Sequence, residues 1–168
     1  MEQLKIPKDR IPCLIGKYGK DKKQIEKLTS TKLKIDSKEG DIIIEGESLQ
    51  CYISKNIIKA IARGFNPKIA LQLLNEDYCL EIINIEDFTR KSKKDAIRLK
   101  SRIIGTKGKA RKMIEKLTNT DICIYGKTIC IIGEQQNVYL AKRAIINLLQ
   151  GSKHGSVYNF IKKNKKHL

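Results

Sequence analysis

Tryptophan is absent from the 168 residues, and phenylalanine occurs only three times. That excludes folds that read single strands by stacking bases on an aromatic-rich sheet, such as the RRM and the OB-fold. The five cysteines (Cys13, Cys51, Cys79, Cys123, Cys130) are odd in number and never spaced C-x-x-C. Structural zinc needs about four clustered ligands, and the two histidines, His154 and His167, both lie near the end of the chain. No metal site and no cofactor is therefore expected. Free buried thiols are the expectation, including at Cys123 and Cys130, which could face each other across a hairpin. No apolar run nears the roughly 20 residues that span a bilayer. The opening Met1-Glu2-Gln3-Leu4-Lys5 also lacks the apolar segment of a signal peptide. A cytoplasmic protein with no membrane role is the expectation.

Acids are scarce. Thirty-five Lys and Arg stand against 18 Asp and Glu, for a net charge of +17. Such an excess is the electrostatic footprint of a nucleic-acid partner. The charge is uneven: residues 1–65 carry +5, 66–89 carry −4, 90–151 carry +11 and 152–168 carry +5. The second half should therefore carry the steeper share of any salt dependence.

A motif occurs twice. Ile15-Gly16-Lys17-Tyr18-Gly19-Lys20 returns 89 residues later as Ile104-Gly105-Thr106-Lys107-Gly108-Lys109, and 12 of 22 positions from Ile15 and Ile104 match without a gap. Both copies run on through Ile-Glu-Lys-Leu-Thr, from Ile25 and Ile114. A lone GxxG is common by chance, but two inside one repeated frame describe a duplicated small domain.

The flanking patterns supply the elements. In the first copy a short strand near Leu4 to Pro7 precedes a helix over Asp9 to Ile15. A helix from Asp21 to Thr29 follows the loop, with Ile25 and Leu28 on one face. Strands are expected at Thr31 to Asp36 and Asp41 to Glu45. Leu49, Ile53, Ile57 and Ile61 then recur every four residues, which predicts a closing helix ending near Gly64. The second copy repeats this with a strand from Cys79 to Ile85 and helices over Lys94 to Ile104 and Lys109 to Leu117. Strands follow at Thr120 to Tyr125 and Thr128 to Ile132. Its closing helix, Glu134 to Leu149, has Val138, Ala141, Ile145 and Leu148 inside. Asn66-Pro67 is an N-cap followed by proline at the first helical position. A helical connector with a fixed mutual orientation of the two copies is expected from it. The expected divisions are a first domain at 1–65, the connector at 66–78, a second domain at 79–151 and a basic, partly helical tail at 152–168. The last lysine-rich residues should fray.

A loop between two helices that keeps a glycine at each end lets a sugar-phosphate backbone approach within contact distance. In a KH domain such a GxxG loop clamps four nucleotides of a single strand. The amides opening the next helix add donors at a positive dipole end. The candidate RNA-binding residues are therefore Ile15, Gly16, Lys17, Tyr18, Gly19, Lys20 and Lys23 in the first copy. In the second they are Arg102, Ile104, Gly105, Thr106, Lys107, Gly108, Lys109, Arg111 and Lys112. An apolar floor for bases could come from Ile15, Ile25, Leu33 and Ile35, and from Ile104, Ile114, Ile122 and Ile124. The same isoleucines would equally serve as ordinary core. With 15 residues ahead of Gly16, only one strand and one helix fit there, as in the type I KH arrangement and not the bacterial type II. The fold class is accordingly α+β: two tandem type I KH domains of order β-α-α-β-β-α, each with a three-stranded antiparallel sheet packed on three helices.

Gly126-Lys127-Thr128 imitates the end of a P-loop, but the required first glycine would fall at Asp121. These residues read as a turn between strands. A nuclease would need clustered carboxylates or paired histidines. The acidic pairs Glu76-Asp77 and Glu86-Asp87 border the connector and read as solvated turns, so catalysis is not expected. A protein scaffold that has lost its RNA would have no need of four intact loop glycines.

Beyond the loops, the chain resembles the archaeal branch of the KH-domain ribosome-assembly factors. The matching residues are Ala62-Arg63-Gly64-Phe65 with Ala70-Leu71, Leu74 and Asp77, then Arg102-Ile103-Ile104-Gly105 with Gly108-Lys109. Tyr125-Gly126-Lys127-Thr128 through Ile131-Ile132-Gly133, and Gly151, His154, Val157-Tyr158 and Phe160, complete the set. The resemblance implies binding of the single-stranded 3′ end of small-subunit ribosomal RNA during small-subunit biogenesis. It also implies two protein partners, a PIN-domain endonuclease and the alpha subunit of translation initiation factor two. The alternative is a general KH RNA-binding or adaptor protein in RNA degradation or translation initiation. Eukaryotic relatives tend to have a degenerate first loop, so the intact Gly16-Lys17-Tyr18-Gly19 implies that both copies hold RNA here.

Overall fold

A computed structural model describes residues 1–90 and 92–165. The expected fraying of 166–168 lies outside the described residues. The chain divides into two compact units, Met1–Glu76 and Asp77–Leu168.

In the first unit β1 (Glu2–Lys5) leads through a 3-10 turn into α1 (Ile11–Ile15). The Gly16–Gly19 loop then gives way to α2 (Lys20–Thr29), followed by β2 (Lys32–Ile35), β3 (Asp41–Glu45), α3 (Ser48–Ala62) and the short α4 (Pro67–Ala70). The second unit has β4 (Tyr78–Asn84), α5 (Lys93–Ile104), α6 (Lys109–Thr118), β5 (Asp121–Tyr125), β6 (Thr128–Glu134), α7 (Gln135–Leu149) and α8 (His154–Lys165). Both sheets are antiparallel and three-stranded, ordered β1-β3-β2 and β4-β6-β5. The last strand of each copy is central, which is why β3 and β6 carry the densest isoleucines. Ile42 and Ile44, and Ile129 to Ile132, are buried. Cys123 pairs with Cys130 across the β5–β6 ladder, and none of the five cysteines is in a disulfide. Gly126 and Lys127 form the turn joining those strands.

The duplicated Ile-Glu-Lys-Leu-Thr segment is a clip between a helix and the strand after it. Ile25 and Ile114 are fully buried. Glu26 Oε1 accepts the Leu33 amide at 2.8 Å, and Glu115 Oε1 accepts the Ile122 amide at 2.8 Å. Thr29 donates to the Ile25 carbonyl and pairs with Thr31 at 2.7 Å, and Thr118 does the same with Ile114 and Thr120. Each buried hydroxyl is thereby satisfied, as a dry core requires.

Two sequence expectations about helix faces are corrected. Leu28 does not share the buried face with Ile25: it is 47% exposed, and Thr29 takes the inner position one turn on. Leu49 is exposed too, and the inner face of α3 is Cys51, Ser54, Ile57, Ile58 and Ile61. In α2 periodic spacing located the helix, while a threonine able to bond locally took the inner position; in α3 the inner positions of the first turns are Cys51 and Ser54 in place of Leu49. For α7 the four expected inner residues are all buried. The unit ends differ: α4 packs on α3, whereas the longer α8 buries Val157 and Ile161 against α6 and α7. The N-cap of α4 is Asn66, whose side chain accepts from the Ile69 amide at 2.9 Å.

Removing the Glu26 acceptor strands a partly buried amide. Glu26→Ala should cost about 1–2 kcal/mol, read by urea denaturation, and should speed amide exchange along β2 before other strands of that unit. Unchanged stability would show that the clip is incidental.

Candidate nucleic-acid interface

The two loops have different sequences and the same backbone. Gly16 and Gly105 sit at φ/ψ of 72/175° and 73/176°, Tyr18 and Lys107 at 55/28° and 56/28°, and Gly19 and Gly108 at 74/15° and 75/12°. The first conformation is open to glycine almost alone. The glycines do unequal work. A Cβ on Gly105 would lie 2.6 Å from the Ala110 Cβ and 2.8 Å from its amide nitrogen, and one on Gly16 would lie 2.0 Å from the Asp21 carboxylate. The leading glycine therefore lets the next helix close against the loop. Around Gly19 and Gly108 there is open space, apart from a lysine tip 3.9 Å away. The trailing glycine leaves the outer surface bare.

Between them, Tyr18 and Lys107 hold a left-handed conformation that costs a non-glycine residue about 1–2 kcal/mol. Tyr18 is 89% exposed, with Lys17 Nζ 5.5 Å from its ring centre. A strained, bare, cationic turn marks a functional surface more than a structural one. Neither helix behind the loops has a side-chain N-cap, because Gly19 and Gly108 fill that place. The Lys20 and Lys109 amides are taken by the Lys17 and Thr106 carbonyls, and the next first-turn amides of α2 and α6 lie at the head of each helix, where anions are favoured.

Lys17, Lys20 and Lys23 are exposed around the first loop, and Thr106, Lys107, Lys109 and Lys112 around the second. Two arginines are differently employed. Arg111 Nη1 donates to Glu115 Oε1 at 3.2 Å and to the Ile122 carbonyl at 3.1 Å, so it braces the helix–strand clip. Arg102 Nη2 donates to the Ser152 carbonyl. Of the floor candidates, Ile25, Leu33, Ile114 and Ile122 are core, each at most 2% exposed. Ile15, Ile35, Ile104 and Ile124 are half-buried.

Beside the first loop a groove of about 420 Å³ runs from Lys8, Ile11 and Pro12 past Ile15 and Gly16 to Ser37 in the β2–β3 turn. Lys8 and Pro12 were not candidates in the sequence. Their spacing from Ile15, seven and three residues, was the available signal. The corresponding spacing in the second copy points to Ile97, 65% exposed on α5. Arg10 was also missed: it ties the start of α1 to the end of α3, donating to the Ile61 and Phe65 carbonyls at 2.9 Å each.

A second cleft, of about 690 Å³, lies beside Gly105 and Thr106, with α8 forming one wall. Near it, hydrogen bonds from Arg98 and the Arg90 amide hold the Asp95 carboxyl below its usual range. Burial pushes the Tyr158 phenol above its usual value.

Comparison with known proteins agrees with this geometry. The family model described as eukaryotic type KH-domain (KH-domain type I) matches residues 79–166, and the KH domain model matches residues 1–60. A KH domain-containing protein of Methanocaldococcus jannaschii is 44% identical over 98% of this chain and 74% of its own length. The pre-rRNA-processing protein PNO1 of Chaetomium thermophilum is 30% identical over 75% of this chain, which spans only 49% of that protein. Among solved structures, the a/eIF2alpha–aDim2p–rRNA complex of Pyrococcus horikoshii contains a chain with a TM-score of 0.91 and 45% identity. The match covers 99% of this chain and 94% of that one.

Alanine at the leading glycines should separate the two loops. Gly105→Ala meets the Ala110 Cβ at 2.6 Å and its backbone nitrogen at 2.8 Å, whereas Gly16→Ala meets a carboxylate that can rotate away and only one fixed atom, the Asp21 Cβ, at 2.9 Å. Both carry a backbone strain of about 1–3 kcal/mol, and Gly105→Ala should be the more destabilising in thermal unfolding. An equal or larger loss for Gly16→Ala would contradict the steric reading.

Proposed function

The chain belongs to the family of KH-domain proteins that includes PNO1 and Dim2p, and from that premise we propose that it binds single-stranded RNA in small ribosomal subunit biogenesis. The RNA is the 3′ end of small-subunit rRNA. The observation that carries the reading is the duplicated glycine-bounded loop, with one backbone from two sequences, each heading an uncapped helix in a chain of net charge +17. We read each unit as a type I KH domain of order β-α-α-β-β-α, at 1–65 and 79–151, with 66–78 and 152–168 as additions. Both loops grip the strand through Gly16 to Lys20 and Lys23, and through Gly105 to Lys109 and Lys112. Ile15 and Ile104 lie under the adjoining bases. Arg102 and Arg111 hold these surfaces in shape and add charge.

The role is binding without catalysis. Of the acidic pairs, Glu86 is spent on an ion pair with Lys127. Among the described residues no helix is long and apolar enough to cross a membrane, and a cytoplasmic site of action suits an rRNA ligand. The similarity to aDim2p, solved together with a/eIF2alpha and rRNA, supports the alpha subunit of translation initiation factor two as a protein partner. A PIN-domain endonuclease is the second partner proposed, a reading that the similarity to PNO1, a pre-rRNA-processing protein, supports.

The test keeps every glycine. Lys17→Asp with Tyr18→Asp, and Thr106→Asp with Lys107→Asp, place carboxylates where phosphates should lie. Aspartate also tolerates the left-handed positions 18 and 107 better than tyrosine or lysine does. Each pair should weaken binding of an rRNA 3′-end oligonucleotide at least tenfold, and both together should abolish it. With six phosphates neutralised, log K for the unaltered protein should fall with log salt at a slope near −4, from about 0.7 per contact on single strands. A flat salt response, or undiminished binding by the fourfold variant, would remove the loops from the site.

A further inference from the structure

We infer that the second loop has a phosphate site on its outer flank, which takes a phosphodiester of the same RNA strand beyond the nucleotides held by the loop itself. The inference rests on the RNA-binding reading above and extends it to residues outside the loop. The site is the cleft of about 690 Å³ bounded by Arg98 and Arg102 of α5, Lys109 and Ala110 at the head of α6, and His154 and Tyr158 of α8. Its lining holds three cations and no carboxylate.

Three features make it a site and not a solvated dent. First, α8 is fastened to the end of α5: the His154 ring nitrogen Nε2 donates to the Arg102 carbonyl at 2.9 Å, and Arg102 Nη2 donates to the Ser152 carbonyl. The carbonyl can only accept, so the hydrogen is on Nε2. The wall is therefore set before any ligand arrives. Second, Arg102 Nε is buried with no hydrogen-bond partner, which leaves that guanidinium under-satisfied where it lines the cleft. Third, Gly105 and Thr106 belong to the same lining, so a strand gripped by the loop passes the opening. Arg98 uses Nε and Nη2 on one Asp95 oxygen and remains 60% exposed at its side chain, so its outer edge can meet a second anion.

The first copy shows what the site requires by lacking it. Eighty-nine residues earlier, Arg98, Arg102 and Ala110 correspond to Asp9, Cys13 and Asp21. The Asp21 carboxylate lies against Gly16, where the second copy sets the uncharged Ala110 methyl against Gly105. After α3 the chain turns into α4, and no helix of that unit takes the place of α8. The two loops are thus alike in backbone and opposite in flank charge. A phosphate is drawn to the flank of one and repelled from the flank of the other.

The experiment uses the full chain with the first loop disabled by Lys17→Asp and Tyr18→Asp. Single-stranded RNAs of four and ten nucleotides are titrated over a range of salt. Arg98→Gln is combined with Asp95→Asn so that no carboxylate is uncovered. This variant should bind the ten-nucleotide RNA about fourfold more weakly at 0.15 M salt and lower the salt slope by about 0.7, the value of one phosphate contact. Binding of the four-nucleotide RNA should change less than about twofold, since only the loop grips it. With the second loop disabled instead, Asp21→Ala should strengthen binding of the longer RNA. Loss of affinity equal for both lengths, or no change in slope, would overturn the flank site. So would an acidic peptide that binds the cleft while the RNA ignores the variant. If the parent with one working loop binds neither RNA, the RNA-binding reading itself fails, a result separate from these.

Discussion

The structure depends on a backbone conformation that a side chain would forbid. At Gly16 and Gly105 the chain leaves one helix with φ near 72° and ψ near 175° and enters another within four residues. Only at such a corner can the next helix start so close that its second residue, Asp21 or Ala110, touches the loop. Because the corner is tight, the amides at the head of the second helix and the bare face of the trailing glycine lie on the same surface. The proposed phosphate grip rests on that coincidence: donors and a dipole end in one place, with no side chain in front.

A corner of this kind would flex if the helices flanking it could shift. The clip of Ile, Glu and Thr answers this, since it binds the second helix to the following strand by a carboxylate–amide bond and a pair of buried hydroxyls. Its sequence is repeated as faithfully as the glycines are. The loop is therefore strained locally and braced from behind, which is the arrangement a pre-formed clamp requires. Ordering the loop does not have to be driven by the ligand.

Much of this was legible in the residues. The duplicated glycines, the offset of 89 and the alternation of Leu33 and Ile35 placed helices and strands to within a residue or two. What escaped was side-chain traffic. Leu28 looked like core, but the threonine beside it could satisfy its own hydroxyl in the helix and so took the inner position. Arg111 read as a phosphate ligand from its place after the loop, yet its guanidinium also reaches the Ile122 carbonyl. Such choices depend on a partner 11 residues away, which no periodicity encodes. Nor did spacing reveal that α8 would pack beside the second loop, because its apolar face, Val157 and Ile161, specifies burial without specifying against what.

The two copies also show how duplication is used. The loop backbones are the same, while the residues just outside them differ, aspartates in one copy and arginines in the other, which on the proposal above would make each copy treat charge differently. The measurement closest to the central claim is amide exchange, residue by residue, with and without saturating single-stranded RNA. The account predicts that the amides just inside α2 and α6, residues 21–22 and 110–111, gain protection together in the complex. Protection confined to the sheets or the closing helices, with those four amides unchanged, would contradict it.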